Sequence, residues 1–123
     1  MPKHIYLLED NDDIREIVEL LLEGEGLRVS AFPDIASMDN ALNQQVPDAF
    51  ILDIMLPDGN GIEVCSRLKA DKATLKIPVV MMSANYSASQ MSGLCTADDF
   101  ISKPFDIADF TNRIAVQLGL GGL

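Results

Sequence analysis

The fold of this chain is decided by residues 47–61, which read PDAFILDIMLPDGNG. Pro47 and Asp48 favour a turn, and the run from Ala49 to Leu56 that follows is apolar on both faces except at one acid, Asp53. Such a run is typical of a central strand in a parallel sheet, because helices cover both faces of that sheet. This stretch therefore predicts an α/β protein with a carboxylate at the end of its central strand.

Similar apolar runs recur on either side of this strand. They occupy residues 4–8, 27–32 and 78–82, and stretches with helical spacing separate them. This alternation predicts repeated βα units around a parallel sheet. At 123 residues the chain has the length of one domain that can bury a substantial core.

Capping residues and glycines predict where the helices begin and end. The first helix is expected to begin near Asn11 or Asp12 and to end at Gly24 and Gly26. The second is expected to run from about Asp34 to Asn43.

The spacing of apolar residues predicts which side chains of the helices face the core. The last helix is expected to follow a cap at Asp106, whereas the stretch from Asn85 to Thr96 is serine-rich and predicts a helix only weakly. The side chains predicted to face the core are, in the first helix, Ile14, Ile17, Val18, Leu21 and Leu22, in the third, Ile62, Val64, Cys65 and Leu68, and in the last, Ile107, Phe110, Ile114 and Leu118.

Composition excludes several classes of function. Nineteen acids against nine bases give a formal net charge of −10, which opposes direct binding to nucleic acid. No apolar run approaches the length of a membrane helix, and the N-terminus lacks a signal-peptide pattern, so we expect a soluble protein in the cytoplasm. Cys65 and Cys95 lack metal-binding spacing and are expected to be free thiols.

Polar side chains stand at the carboxyl ends of the predicted strands. They are Glu9 and Asp10, Asp53, Ser83 and, in the segment DFISKPF, Lys103. Because the ends of parallel strands converge on one edge of the sheet, we expect these residues to meet in one crevice. Each of them alone is more often structural, and the whole set is what indicates a site.

The charges of this set predict a magnesium site that accepts a phosphoryl group. Glu9, Asp10 and Asp53 carry three negative charges, which one Mg²⁺ and Lys103 neutralise. Asp53 is the best candidate for the nucleophile, since a carboxylate beside a magnesium ion can attack phosphorus. Lys103 and the Ser83 hydroxyl are expected to hold phosphoryl oxygens. Pro104 follows the lysine, and either isomer of the Lys103–Pro104 bond fits the sequence.

Taken together, these motifs resemble the receiver domain of bacterial two-component response regulators. The resemblance covers essentially the whole chain. The motifs that carry it are Glu9-Asp10, Asp53 with Pro57 and Gly61, Ser83-Ala84, Ala97-Asp98-Asp99-Phe100, and Lys103-Pro104-Phe105.

The resemblance implies a doubly wound, five-stranded parallel sheet in the order 2-1-3-4-5, the flavodoxin-like receiver fold. It implies that Asp53 takes a phosphoryl group from a phosphohistidine, and that Asp10, Asp53 and the Met55 carbonyl bind Mg²⁺ while Glu9 acts through water. It also implies that Ser83 and Phe100 act as switch residues, coupling phosphorylation to the surface formed by the fourth helix, fifth strand and fifth helix.

Partners and domain limits follow from the same resemblance. It implies a sensor histidine kinase or histidine phosphotransfer protein as donor, and a downstream effector protein or domain outside this chain. Residues 1–118 would form the receiver domain, and residues 119–123 a C-terminal tail or the start of a removed linker. Neither a membrane nor nucleic acid is expected to bind this domain, and a phosphorylation-dependent dimer is an open option.

Other functions compete with this interpretation. A protein-interaction module that is never phosphorylated would share the whole pattern. A small aspartate-nucleophile phosphatase is disfavoured, because the position of its general acid, two residues after the nucleophile, is Met55. A flavodoxin-like cofactor carrier is disfavoured by the acids at residues 9–13, which would repel a phosphate arriving without metal. We therefore expect no enzymatic activity other than the domain's self-catalysed uptake and loss of a phosphoryl group.

Overall fold

The computed structural model describes residues 2–84, 86–103 and 105–120, which form a five-stranded parallel sheet flanked by helices. The strands are β1 (His4–Leu8), β2 (Arg28–Phe32), β3 (Ala49–Asp53), β4 (Val79–Ser83) and β5 (Asp99–Ser102). The helices are α1 (Asp12–Gly24), α2 (Ile35–Leu42), α3 (Gly61–Ala70), α4 (Ala88–Ser92) and α5 (Ile107–Gln117). The sheet order is β2-β1-β3-β4-β5, so the predicted fold and strand order are confirmed.

Two apolar cores lie on the two faces of this sheet, because successive side chains of a strand point to opposite faces. Ile5 and Ile51 face α1 and α5, where they meet Val18, Phe110 and Ile114. The other core gathers side chains from α2, α3 and α4, among them Met38, Cys65 and Met91, with Phe50 and Leu52 of β3. All five residues of β3 are buried, as expected of a central strand.

The helix starts predicted from capping residues are confirmed. The Asn11 side chain caps α1 by accepting a hydrogen bond from the backbone N–H of Ile14 at 3.0 Å. Asp106 caps α5 in the same way, accepting from the backbone N–H of Asp109 at 2.9 Å. Gly26 follows α1 with a φ of 83°, a backbone conformation that glycine adopts without strain.

Two side chains predicted to be buried are exposed. Ile17 on α1 is 53% exposed and Ile107 on α5 is 56% exposed. Both line an apolar groove of about 370 Å³ between the two helices, together with Ile14, Leu21 and Phe105. The prediction was wrong because helical spacing identifies an apolar stripe but not how much of its width the sheet covers.

Two predicted elements are shorter in the structure. β3 ends at Asp53, and after Ile54 the chain forms a small antiparallel hairpin that pairs Met55–Leu56 with Gly59–Asn60. The fourth helix covers only Ala88–Ser92 of the predicted 85–96 stretch, in agreement with its weak helix formers. Asn85, Pro104 and residues 121–123 of the predicted tail lie outside the described residues.

Within the described part of the chain, every helix is too short or too polar to cross a bilayer.

Candidate functional site

The carboxyl ends of β1 and β3 bring three acids together, as the strand-end argument predicted. Glu9 directly follows β1 and is fully buried, Asp10 is exposed, and Asp53 is the last residue of β3 and is buried. One carboxylate oxygen from each lies within 4.8 Å of the others. These oxygens are therefore close enough to share one metal ion.

Lys103 reaches the same cluster from the end of β5. Its ammonium group makes an ion pair with Oε1 of Glu9, and its Nζ lies 3.4 Å from Oδ2 of Asp53. The backbone N–H of Lys103 donates a 2.8 Å hydrogen bond to the carbonyl of Ser83. The lysine is therefore attached to β4 through its backbone and directed to the acids through its side chain.

Burial and charge both act on Glu9. Removal from water raises the pKa of its carboxyl above the ordinary value, and the nearby negative charge of Asp53 raises it further. The hydrogen bond and positive charge of Lys103 act in the opposite direction. Three carboxylates and one ammonium leave an ionised site with two excess negative charges, which matches a divalent cation.

Asp53 is held by contacts to both of its carboxylate oxygens. Oδ1 accepts a 2.8 Å hydrogen bond from the backbone N–H of Ile54, and Oδ2 faces Lys103. A carboxylate fixed in this way presents a defined edge to a reactant and loses little freedom on reaction.

Gly61 allows the loop after β3 to pass close to Asp53. A Cβ at this glycine would lie 1.9 Å from the Asp53 carbonyl oxygen and 3.1 Å from the Cα of Ile54. The Gly61 N–H also donates a 2.7 Å hydrogen bond to the Ile54 carbonyl. The absence of a side chain at Gly61 allows the start of α3 to lie against the end of β3.

Arg15 is a site residue that the sequence analysis missed. Its Nη1 donates hydrogen bonds to the backbone carbonyls of Glu9 at 3.0 Å and Asp10 at 3.4 Å, and its Nη2 pairs with Asp12 at 2.5 Å. Arg15 therefore fixes the loop that carries the two acids. The signal available in the sequence was a basic residue one turn into a helix that follows an acidic loop.

Asp58 was also missed. Its two carboxylate oxygens accept hydrogen bonds from the backbone N–H groups of Ile35 at 2.9 Å and Ala36 at 3.0 Å. These are free N–H groups of the first turn of α2. Asp58 thus ties the loop after β3 to a helix that follows β2, a contact that no local sequence pattern reveals.

The remaining predicted residues lie around the acid cluster. Ser83 is buried at the end of β4, and Phe100 of β5 is half-buried and packs against the core on the α3 side. Met55 lies in the hairpin with its residue 57% exposed, and binding of a metal by its carbonyl stays a prediction. Pro104 lies outside the described residues.

The donor set fits magnesium. All three candidate ligands are carboxylate oxygens, which are the hard donors that Mg²⁺ prefers, and the exposed Asp10 leaves one side of the site open to water. The described residues bring no thiol or imidazole into this cluster. A softer metal such as zinc is therefore not favoured.

The chain matches known proteins along almost its whole length. Residues 5–115 match the family described as response regulator receiver domain. The transcriptional regulatory protein CseB of Streptomyces coelicolor is 40% identical over 117 residues, which cover 94% of this chain and 49% of CseB. The chain thus spans about half the length of that relative.

Solved structures agree with the sequence match. A response regulator from Chloroflexus aurantiacus has 26% identity and a TM-score of 0.89, with 97% of this chain and 99% of that one covered. The receiver domain of sensor histidine kinase PA1611 from Pseudomonas aeruginosa, described with a magnesium ion in its active-site cleft, superposes with a TM-score of 0.85 at 23% identity over 97% of this chain and 99% of that one. The fold, the strand-end acids and the family match together establish that this chain belongs to the response regulator receiver domain family.

Proposed function

We propose that this receiver domain accepts a phosphoryl group on Asp53 from a phosphohistidine of a sensor histidine kinase or histidine phosphotransfer protein. The observation that carries this proposal is the arrangement of Asp53 between two other acids and Lys103. A lone structural aspartate at a strand end would need neither the buried Glu9 nor the half-buried Lys103 beside it.

The chemistry is an in-line displacement at phosphorus. A carboxylate oxygen of Asp53 forms a bond to phosphorus while the bond from phosphorus to the donor nitrogen breaks, and that nitrogen keeps the electron pair. The donor imidazole leaves neutral, because its other nitrogen carries a proton. Glu9, Asp10 and Asp53 would hold Mg²⁺, which when bound neutralises charge on the phosphoryl oxygens.

Lys103 has a defined part in this step. Its Nζ lies 3.4 Å from Asp53 in the resting site, so a short movement brings it against a phosphoryl oxygen. Its ion pair with Glu9 then weakens, and its backbone bond to Ser83 transmits any displacement to β4. The hydroxyl of Ser83 would hold another phosphoryl oxygen.

The output surface comprises α4, β5 and α5. Among residues 89–91 of the short α4, whose side chains the structure describes, Met91 is the buried one, so these three residues bury little apolar area that would oppose a movement of the helix. Phe100 on β5 is half-buried, and we expect its ring to turn inward when Asp53 is phosphorylated. Arg113 of α5 donates a 2.9 Å hydrogen bond to Asp99, which links α5 to β5, and a 3.0 Å hydrogen bond to Asp109 on its own helix. A downstream effector would recognise the rearranged surface.

The test is the intact mass of the protein after incubation with acetyl phosphate. Wild type with Mg²⁺ is expected to gain one phosphoryl group and to gain none in EDTA. Asp53→Asn is expected to gain none, because its amide is not a nucleophile. Asp13→Asn is the matched control, since it removes one exposed acid of α1 and should not affect uptake. Equal uptake by Asp53→Asn and wild type would overturn the assignment.

Two further measurements separate the competing functions. Turnover of a generic phosphate ester would indicate a phosphatase, which we do not expect because Met55 offers no general acid. Failure to gain mass from acetyl phosphate and from a phosphorylated histidine kinase, with Mg²⁺ binding intact, would indicate an interaction module that is never phosphorylated.

A further inference from the structure

Asp10 is the one exposed acid of the candidate metal site, and its side chain is held least. Glu9 pairs with Lys103 and accepts a 3.2 Å hydrogen bond from the backbone N–H of Asn11. Asp53 is held at both of its carboxylate oxygens. The Asp10 carboxylate, by contrast, has no hydrogen bond or ion pair to any described residue, so its direction depends on the backbone that carries it.

The side chain of Arg15 holds that backbone from the first turn of α1. Its Nη1 donates hydrogen bonds to the carbonyls of Glu9 at 3.0 Å and Asp10 at 3.4 Å. Its Nη2 makes a 2.5 Å salt bridge with Asp12, and the arginine side chain is only 21% exposed. One planar group thus ties the backbone of both acids to the start of the helix.

We propose that Arg15 is a positioning residue for Mg²⁺, which orients the Asp10 carboxylate toward the site by holding the backbone of Glu9 and Asp10. The inference rests on the magnesium site of the proposed function. A guanidinium has no lone pair to offer a metal, so any effect of Arg15 on metal binding must pass through the acids. Groups that orient metal ligands in this way commonly change metal affinity by roughly 10- to 100-fold.

Charge and orientation make opposite predictions for this residue. Arg15 brings a positive charge close to the acids, and its removal would also leave the charge of Asp12 uncompensated. By charge alone, removal would therefore strengthen the binding of a cation. Loss of orientation would weaken it, because the Asp10 carboxylate would have more positions to give up when the metal binds. The direction of the change in Mg²⁺ affinity separates the two effects.

The experiment compares the Mg²⁺ Kd of wild type, Arg15→Met and Arg15→Lys by following amide NMR signals during a MgCl₂ titration at constant ionic strength. Methionine is a good helix former but has no hydrogen-bond donor. We expect Arg15→Met to raise the Kd by about tenfold. Lysine keeps the charge but not the planar fork, so Arg15→Lys should give an intermediate Kd. Thermal unfolding in EDTA checks that both variants are folded.

Arg67→Met is the matched control. Arg67 of α3 also pairs with an aspartate, Asp39 of α2, at 2.9 Å, and among the described residues it has no bond to Glu9, Asp10 or Asp53. Both substitutions change the net charge by the same amount. Arg67→Met should therefore keep the Kd of wild type.

Phosphoryl uptake from acetyl phosphate provides a second readout. Uptake by Arg15→Met should be slower than by wild type at low Mg²⁺ and equal to it at saturating Mg²⁺, because Arg15 orients a metal ligand and does not contact the reacting atoms. A slower rate that saturating Mg²⁺ fails to restore would contradict a positioning role.

The Kd values decide the inference. An unchanged or lower Kd in Arg15→Met, or an equal rise in Arg67→Met, would overturn it. A wild type that binds Mg²⁺ but takes up no phosphoryl group would contradict the proposed function and not the role of Arg15. Absence of Mg²⁺ binding by wild type would overturn both.

Discussion

Single residues control the geometry around Asp53, and Gly61 is the clearest example. Replacing Gly61 by Ala would bring a methyl group to 1.9 Å from the Asp53 carbonyl oxygen, which is backbone and cannot move aside cheaply. We expect Gly61→Ala to lower the free energy of unfolding by about 2 kcal/mol or more and to reduce phosphoryl uptake. Urea denaturation and the intact-mass assay measure the two effects.

Gly24→Ala provides the control at the same scale. This glycine is the last residue of α1, and a Cβ there meets nothing within 4 Å. The substitution should leave uptake unchanged and raise stability by about 0.5 kcal/mol, because alanine loses less entropy in a helix. If Gly61→Ala behaved like Gly24→Ala, the close approach would have no role in the site.

His4 gives the fold a pH dependence that does not involve the acids around Asp53. Its ring is buried in β1, Nε2 lies 2.7 Å from the Ser30 hydroxyl, and Nδ1 has no hydrogen-bond partner among the described residues. Burial and then the positive charge of Arg28 lower the pKa of the imidazole below 6.5, whereas Asp48 acts to raise it. The unfolded chain therefore binds a proton more readily than the folded one.

Because the pKa of His4 is lower in the folded protein, we expect the stability that the neutral imidazole contributes to be fully present above about pH 6.5. This contribution should be lost as the pH falls toward the lower pKa of His4 in the folded state. The measurement is urea unfolding at about pH 7.5 and about pH 5.5, with wild type compared with His4→Gln. The glutamine variant keeps a polar partner for Ser30 but does not titrate here, so its stability should fall less over this range. Identical pH dependence in both proteins would contradict the role of His4.

At the scale of elements, Asp58 connects the loop after β3 to α2. We expect Asp58→Ala to destabilise the protein by about 1 kcal/mol, because two N–H groups at the start of α2 lose their partner. The loop that follows Asp53 should also become more mobile. Amide exchange of Ile35 and Ala36, followed together with thermal unfolding, tests both effects.

Asp58→Asn is the graded control. Its amide retains one acceptor oxygen, so it should lose only part of the stability that alanine loses. Equal exchange of Ile35 and Ala36 in all three proteins would mean that the contact does not protect the helix start.

The sequence predicted elements best where one local signal determines them. The capping side chains of Asn11 and Asp106 mark helix starts because the bond they make spans three residues. Strand-end chemistry predicted the meeting of Glu9, Asp53 and Lys103, because parallel topology alone brings those ends together.

Features that depend on how elements pack were missed. The exposure of Ile17 and Ile107 depends on the angle and separation of α1 and α5, which leave a groove between them. Asp58 and Arg15 act on backbone groups, whose positions a side-chain pattern does not reveal.

At the scale of the whole molecule, the site links metal binding to stability. Three carboxylates with one lysine carry excess negative charge, and only the folded chain brings them together. Mg²⁺ should therefore bind the folded protein and not the unfolded chain, which raises the free energy of unfolding. At a hundredfold excess over its Kd, Mg²⁺ is expected to add about 2.7 kcal/mol. Thermal unfolding with MgCl₂, compared with NaCl at equal ionic strength, measures this gain.

Asp10→Asn tests whether the effect is specific. Asp10 is exposed, so its replacement should preserve the fold while removing one ligand charge, and most of the Mg²⁺ shift should disappear. Asp13→Asn, also exposed and close in sequence, should keep the full shift. Equal shifts in both variants would indicate general screening of the net charge of −10.

The central claim is that Asp53 is the residue that receives the phosphoryl group. Borohydride reduces an acyl phosphate and converts the modified aspartate to homoserine, so peptide mass spectrometry after phosphorylation and reduction identifies the acceptor directly. We predict homoserine at position 53, in the peptide that contains β3, only when both Mg²⁺ and the phosphoryl donor are present. Homoserine at Asp10 or at another acid, with Asp53 intact in a phosphorylated sample, would contradict the claim.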